Sequence, residues 1–96
     1  MGNSDFVQLG KEFIAEYMNL NFFDGADEWV INEDDIYCVW LCKTLQNNKG
    51  LFSTDRLLGL YFEFTWNGDK REGYLDVYKK QSNVVIRGEE CDEIFP

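Results

Sequence analysis

The stretch Leu57-Leu58-Gly59-Leu60-Tyr61-Phe62-Glu63-Phe64-Thr65-Trp66, followed by Asn67-Gly68 and then by Asp69-Lys70-Arg71-Glu72-Gly73-Tyr74-Leu75-Asp76-Val77, decides the fold. Apolar residues alternate through its first half, which sets Leu58, Leu60, Phe62, Phe64 and Trp66 on one face of a strand. Asn-Gly between two such runs is the strongest short hairpin signal, because a type I′ turn needs φ > 0 at both central residues. A two-residue loop at Asn67-Gly68 pairs Trp66 with Asp69. Counting outward then pairs Leu60 with Leu75 and Leu58 with Val77 on the apolar face. On the other face Tyr61 meets Tyr74, and Thr65 meets Lys70. Glu63 falls opposite Glu72, and like charges directly opposed are unfavourable. That misfit predicts a solvent-facing surface, or a basic partner supplied from elsewhere.

Working outward, Ile36 to Leu45 is short, β-branched or aromatic, and apolar on both alternations, Ile36/Cys38/Trp40/Cys42 and Tyr37/Val39/Leu41. Such a run reads as a central strand covered on both sides. Asn47-Asn48-Lys49-Gly50 reads as a turn, Leu51 to Thr54 as a shorter strand, and Val84-Val85-Ile86 as a last short strand after a turn at Gln81-Ser82-Asn83. At the other end of the chain, Phe6, Leu9, Phe13, Tyr17 and Leu20 recur at helical spacing, with Ile14 and Met18 widening the stripe. Ser4 is the expected N-cap and Asp5 suits the first turn. Gly10 is a costly residue in a helix, and its small size lets a strand approach closely. The expected fold class is therefore α+β: one N-terminal amphipathic helix, about residues 5–20, packed on an antiparallel β-meander of four to five strands. An acidic connection spans 21–35, the meander about 36–87, and an acidic tail 88–96.

The chain has 96 residues, enough for one core and one domain over 1–96. It is 45% hydrophobic and 17% aromatic, too apolar for disorder at a net charge of −9. With 18 acids against 9 bases, direct binding of nucleic acid through phosphate contacts is not expected. It has no histidine, so the commonest general base and metal ligand are missing. The N-terminus lacks the basic and apolar regions of a secretory signal, and no apolar run is long enough for a membrane span. Three cysteines without secretory context fit a reducing, cytoplasmic setting.

Charge is segregated along the chain. Residues 1–42 hold nine acids and one base, residues 43–87 five acids and eight bases, and residues 88–96 four acids. The carboxylates Asp24, Asp27, Glu28, Glu33, Asp34 and Asp35 crowd the connection without a base among them. They read either as a solvated face or as a surface that occupies a basic nucleic-acid groove in a partner protein. They lack the ligand spacing and central glycine of a calcium loop, and no metal or cofactor is assigned. Cys38 and Cys42, four apart on a strand, share a face about 13 Å apart, too far for one metal or a disulfide. Tyr61, Tyr74 and Tyr78 lie on the sheet face opposite Phe62 and Phe64. They read either as a second core layer or as an aromatic interface for a protein partner or for self-association.

At Asp35-Ile36-Tyr37-Cys38-Val39-Trp40-Leu41-Cys42-Lys43-Thr44-Leu45-Gln46-Asn47, and again at Thr65-Trp66-Asn67-Gly68-Asp69-Lys70 and Tyr74-Leu75-Asp76-Val77-Tyr78-Lys79-Lys80, the chain resembles a family of small phage and prophage proteins of Gram-positive bacteria. That family is described as a domain of unknown function, and the likeness covers about residues 10–86. The resemblance implies the helix–meander order and a phage or prophage origin in a bacterial host cell, and it supplies no catalytic residues. By analogy with anti-CRISPR inhibitors, it implies a Cas9-type host-defence nuclease as the partner.

Three functions are therefore carried forward. The first is a non-enzymatic inhibitor that places the six connection carboxylates in a basic nucleic-acid site. The second is a self-associating structural or accessory phage protein, a homodimer through Tyr61, Tyr74 and Tyr78. The third is a hydrolase built on carboxylates and a metal ion.

Overall fold

The computed structural model describes residues 1–22 and 31–94. Helix α1 (Asn3–Asn21) is followed by a 3-10 turn (Glu33–Asp35), strands β1 (Ile36–Thr44), β2 (Asn47–Thr54), β3 (Leu60–Asn67) and β4 (Glu72–Lys79), and a short helix α2 (Gly88–Ile94). The strands form one antiparallel sheet in the order β1-β2-β3-β4. The α+β meander with an N-terminal helix is thus the fold, with four strands. Among the described residues Val84–Ile86 is no strand and lies exposed. β1 is an edge strand rather than a central one.

α1 begins earlier than Ser4 would place it. Gly2 is the N-cap, with no side-chain cap, and its carbonyl accepts from the Phe6 N–H at 3.0 Å. The buried face of α1 is Phe6, Gly10, Ile14, Ala15 and Met18. It meets Ile36, Phe52, Phe62 and Phe64 from the sheet, with Ile31 closing the same cluster. Phe6 stacks on Phe64 at 5.2 Å between ring centres. Each such ring, removed from water, contributes about 1.5–3 kcal/mol. Gly10 does permit a close approach: a Cβ there would stand 2.8 Å from Cζ of Phe52. Asn19 fixes the connection as it returns, its amide donating to the Ile31 carbonyl at 2.8 Å and accepting from the Ile31 N–H at 2.7 Å.

The sheet register differs from the simple hairpin count in three places. The β3–β4 loop has four residues, since Asn67 pairs with Glu72 and Phe64 with Leu75. The Asn67 side chain accepts from the N–H groups of Asp69 and Lys70, both at 3.1 Å, and Arg71 rather than Gly68 takes the positive φ, 55°. An Asx turn has replaced the type I′ turn. Gly68 serves close approach instead, because a Cβ there would lie 2.2 Å from the Gln46 carbonyl oxygen. The shift from the expected pairing is even, so every residue keeps its face. Leu58, however, lies outside the strand and exposed.

The second difference is the β1–β2 turn. It falls at Leu45-Gln46, with Leu45 at φ 57°, and Asn47–Gly50 are strand residues rather than a turn. The third is a bulge in β1. Cys38 pairs with Phe52 and Trp40 with Leu51, which leaves Val39 as the extra residue. One inserted residue reverses the alternation beyond it. Cys38 therefore sits on the helix side and Cys42 on the opposite side, so the two do not share a face.

Candidate functional site

Of the six connection carboxylates, Asp24, Asp27 and Glu28 lie outside the described residues. Glu33, Asp34 and Asp35 form the 3-10 turn, and two of the three are already engaged. Asp35 accepts from the Asn32 N–H at 3.0 Å and pairs with the Arg56 guanidinium at 3.4 Å, while Asn32 accepts from the Asp34 N–H in return. This capping box starts the turn that leads into β1. Glu33 accepts from the Gln8 amide on α1. Only Asp34 of the three has a carboxylate without a partner among the described residues. Among those residues no three metal-ligating side chains converge.

A stronger site lies on the sheet. α1 covers one face over β1 to β3. On the other face the register sets four rows across the strands. Tyr37, Ser53, Tyr61 and Tyr78 form the first, Trp40, Leu51, Glu63 and Asp76 the second, Cys42, Lys49, Thr65 and Tyr74 the third, and Thr44, Asn47, Asn67 and Glu72 the fourth. Among the described residues no helix or strand packs on this face. Tyr37, Trp40, Tyr74 and Tyr78 are each between 45% and 51% exposed there, high for residues this apolar. The expected trio Tyr61, Tyr74 and Tyr78 is brought onto one face. It is joined by two aromatics that the alternation hides, because Trp40 reaches this face only through the Val39 bulge, and Tyr37 sits in a run whose two apolar alternations predict a covered strand.

Charge on this face is uneven. Glu63 stands opposite Asp76, another pair of like charges, and Lys49 of β2 meets Glu63 at 3.2 Å. That lysine is the basic partner the register misfit called for, and it serves one carboxylate of the two. Asp76 makes no ion pair among the described residues. The Glu72 carboxylate accepts from the Tyr74 hydroxyl at 2.5 Å, which raises the Tyr74 phenol above its ordinary value of 10.0. Along β4 the open face thus alternates carboxylate and phenol: Glu72, Tyr74, Asp76, Tyr78.

On the helix side, α1 stops short of β4. The gap is an apolar groove of roughly 380 Å³ lined by Phe13, Tyr17, Leu20, Phe64, Trp66 and Leu75. Phe13 and Leu20, expected on the buried stripe, turn out to be exposed along this groove.

A family model described as a family of unknown function (DUF6275) matches residues 7–88. No curated protein and no solved structure matches the chain. Among the described residues no helix is long and apolar enough to cross a membrane.

Proposed function

The chain belongs to the DUF6275 family of unknown function, and we propose that it is a non-catalytic binding protein whose open sheet face docks a basic surface of another protein. The observation that carries this reading is the face itself, where exposed Tyr37, Trp40, Tyr74 and Tyr78 are interleaved with Asp76 and Glu72. Aromatic rings attract Lys and Arg through their π faces, by about 0.5–2 kcal/mol each. Carboxylates between them add charge complementarity, and tyrosine and tryptophan dominate the energetics of such contacts. The overall charge of −9 steers the same class of partner.

This reading keeps a basic partner and moves the contact from the connection to the sheet, since two of the three described connection carboxylates are spent on the fold. The nucleic-acid channel of a Cas9-type nuclease in a phage host is one basic surface of this kind, and co-elution with a Cas9–guide complex is its own check. The general test is calorimetric titration with a decapeptide of alternating Lys, Arg and Gly. The chain should bind it, more weakly at higher salt, and Tyr74→Ser/Tyr78→Ser should weaken binding by at least about tenfold. Equal affinity in the folded double variant would contradict the reading.

A further inference from the structure

The segment after β4 is anomalous. Val84, Val85 and Ile86 are 75%, 65% and 66% exposed, although all three are strand formers. They are apolar on both alternations, Val84 and Ile86 on one side and Val85 on the other. Such a segment fits a strand position that is apolar on both faces. The outer edge of β4, which no strand pairs among the described residues, offers one: Leu75 and Val77 lie on the helix side, beside the groove with Trp66, and Tyr74 and Tyr78 lie on the open side.

Among the described residues the segment is not paired on that edge within its own chain, since β4 is the last strand of the sheet and residues 84–86 form no strand. The Lys80 N–H donates to the Gly59 carbonyl at 2.7 Å, where Gly59 takes φ 84°. This bond continues the β3–β4 ladder by one rung beyond Leu60–Lys79, and after it, among the described residues, the segment joins no strand. The molecule is also open for its size. Its Cα radius of gyration is 16.6 Å, where a compact domain of this length has about 12–13 Å. Its accessible surface is 7104 Å², where a monomer of its mass has about 5,700 Å².

We infer that two copies of this chain exchange their Val84–Ile86 segments, each adding as a fifth strand to the β4 edge of the other. Val84 and Ile86 then extend the apolar layer over the groove beside α1, and Val85 joins Tyr74 and Tyr78. The inference does not depend on what the open face binds.

Light scattering of the full chain from 10 µM to 1 mM, with Val84→Asp/Ile86→Asp alongside, tests it. Both substituted side chains are exposed, so the folded protomer should survive, as far-UV circular dichroism would verify. The wild type should have the mass of a dimer, and the double variant should be a monomer at the same concentrations. A sample mixing ¹⁵N- and ¹³C-labelled copies should show intermolecular contacts from the Val84 and Ile86 methyls to Leu75 and Val77. A monomeric wild type throughout the range would overturn the inference. So would a dimer that persists in Val84→Asp/Ile86→Asp, which would put the interface elsewhere. The same variant should still bind the basic decapeptide, so loss of dimerisation and loss of open-face binding are read separately.

Discussion

Asn48 is 1% exposed on β2, and neither its side-chain oxygen nor its nitrogen has a hydrogen-bond partner among the described residues. It lies on the helix side between Lys43 and Trp66. A buried amide left unpaired costs about 1–3 kcal/mol, and a β-branched residue suits the position better. Asn48→Val should therefore raise stability by about 1 kcal/mol in urea denaturation; a loss of similar size would show that the amide is satisfied. Tyr74 makes a second prediction at this scale. Its hydroxyl bonds Glu72, whose carboxylate and charge raise the phenol's pKa. The folded value lies above the unfolded one, so this contact contributes stability that is complete below pH 10.0 and is lost as pH rises through the raised value. Glu72→Gln should bring the Tyr74 titration, followed by NMR, back down toward the ordinary range. An unchanged titration would remove the bond.

At the scale of elements, α1, β1, β3 and β4 were legible because period alone decides them, and a four-residue shift in the hairpin did no harm to the faces; the start of β2 and the expected strand at Val84–Ile86 were not. What periodicity could not show was the bulge. Ile36 to Thr44 is apolar on both alternations, so no polar residue betrays where the alternation reverses. The same two-sided apolarity predicts a covered central strand, yet the run is an edge whose Tyr37 and Trp40 face outward. The connection misled in the opposite way: Asp35 looked like a free charge and is a cap. Turn residues misled too, since Asn47 and Asn48 are turn formers by type but pair along β2. The bulge makes a sharp prediction. Deleting one residue from a regular strand turns every later side chain over. Deleting Val39 instead restores regular alternation with Ile36, Cys38 and Leu41 inward. That deletion should cost less than about 2 kcal/mol and keep cooperative unfolding. Loss of cooperative unfolding would contradict the bulge.

At the scale of the molecule, one helix cannot cover a four-stranded sheet on both faces, and here it does not cover all of one. The consequence is a thin body, 18 Å along its shortest axis, that among the described residues carries an uncovered aromatic face, an apolar groove and an unpaired β4 edge. A soluble monomer rarely leaves so much apolar surface without a use. The acidic charge then selects what approaches it. The most direct test of the open face as the binding surface is an NMR titration of the ¹⁵N-labelled chain with the basic decapeptide. Shifts concentrated at Tyr37, Trp40, Tyr74, Asp76 and Tyr78, and reduced by salt, are the predicted result. Shifts confined to the acidic residues of α1 and the 3-10 turn, with the sheet resonances unmoved, would contradict it.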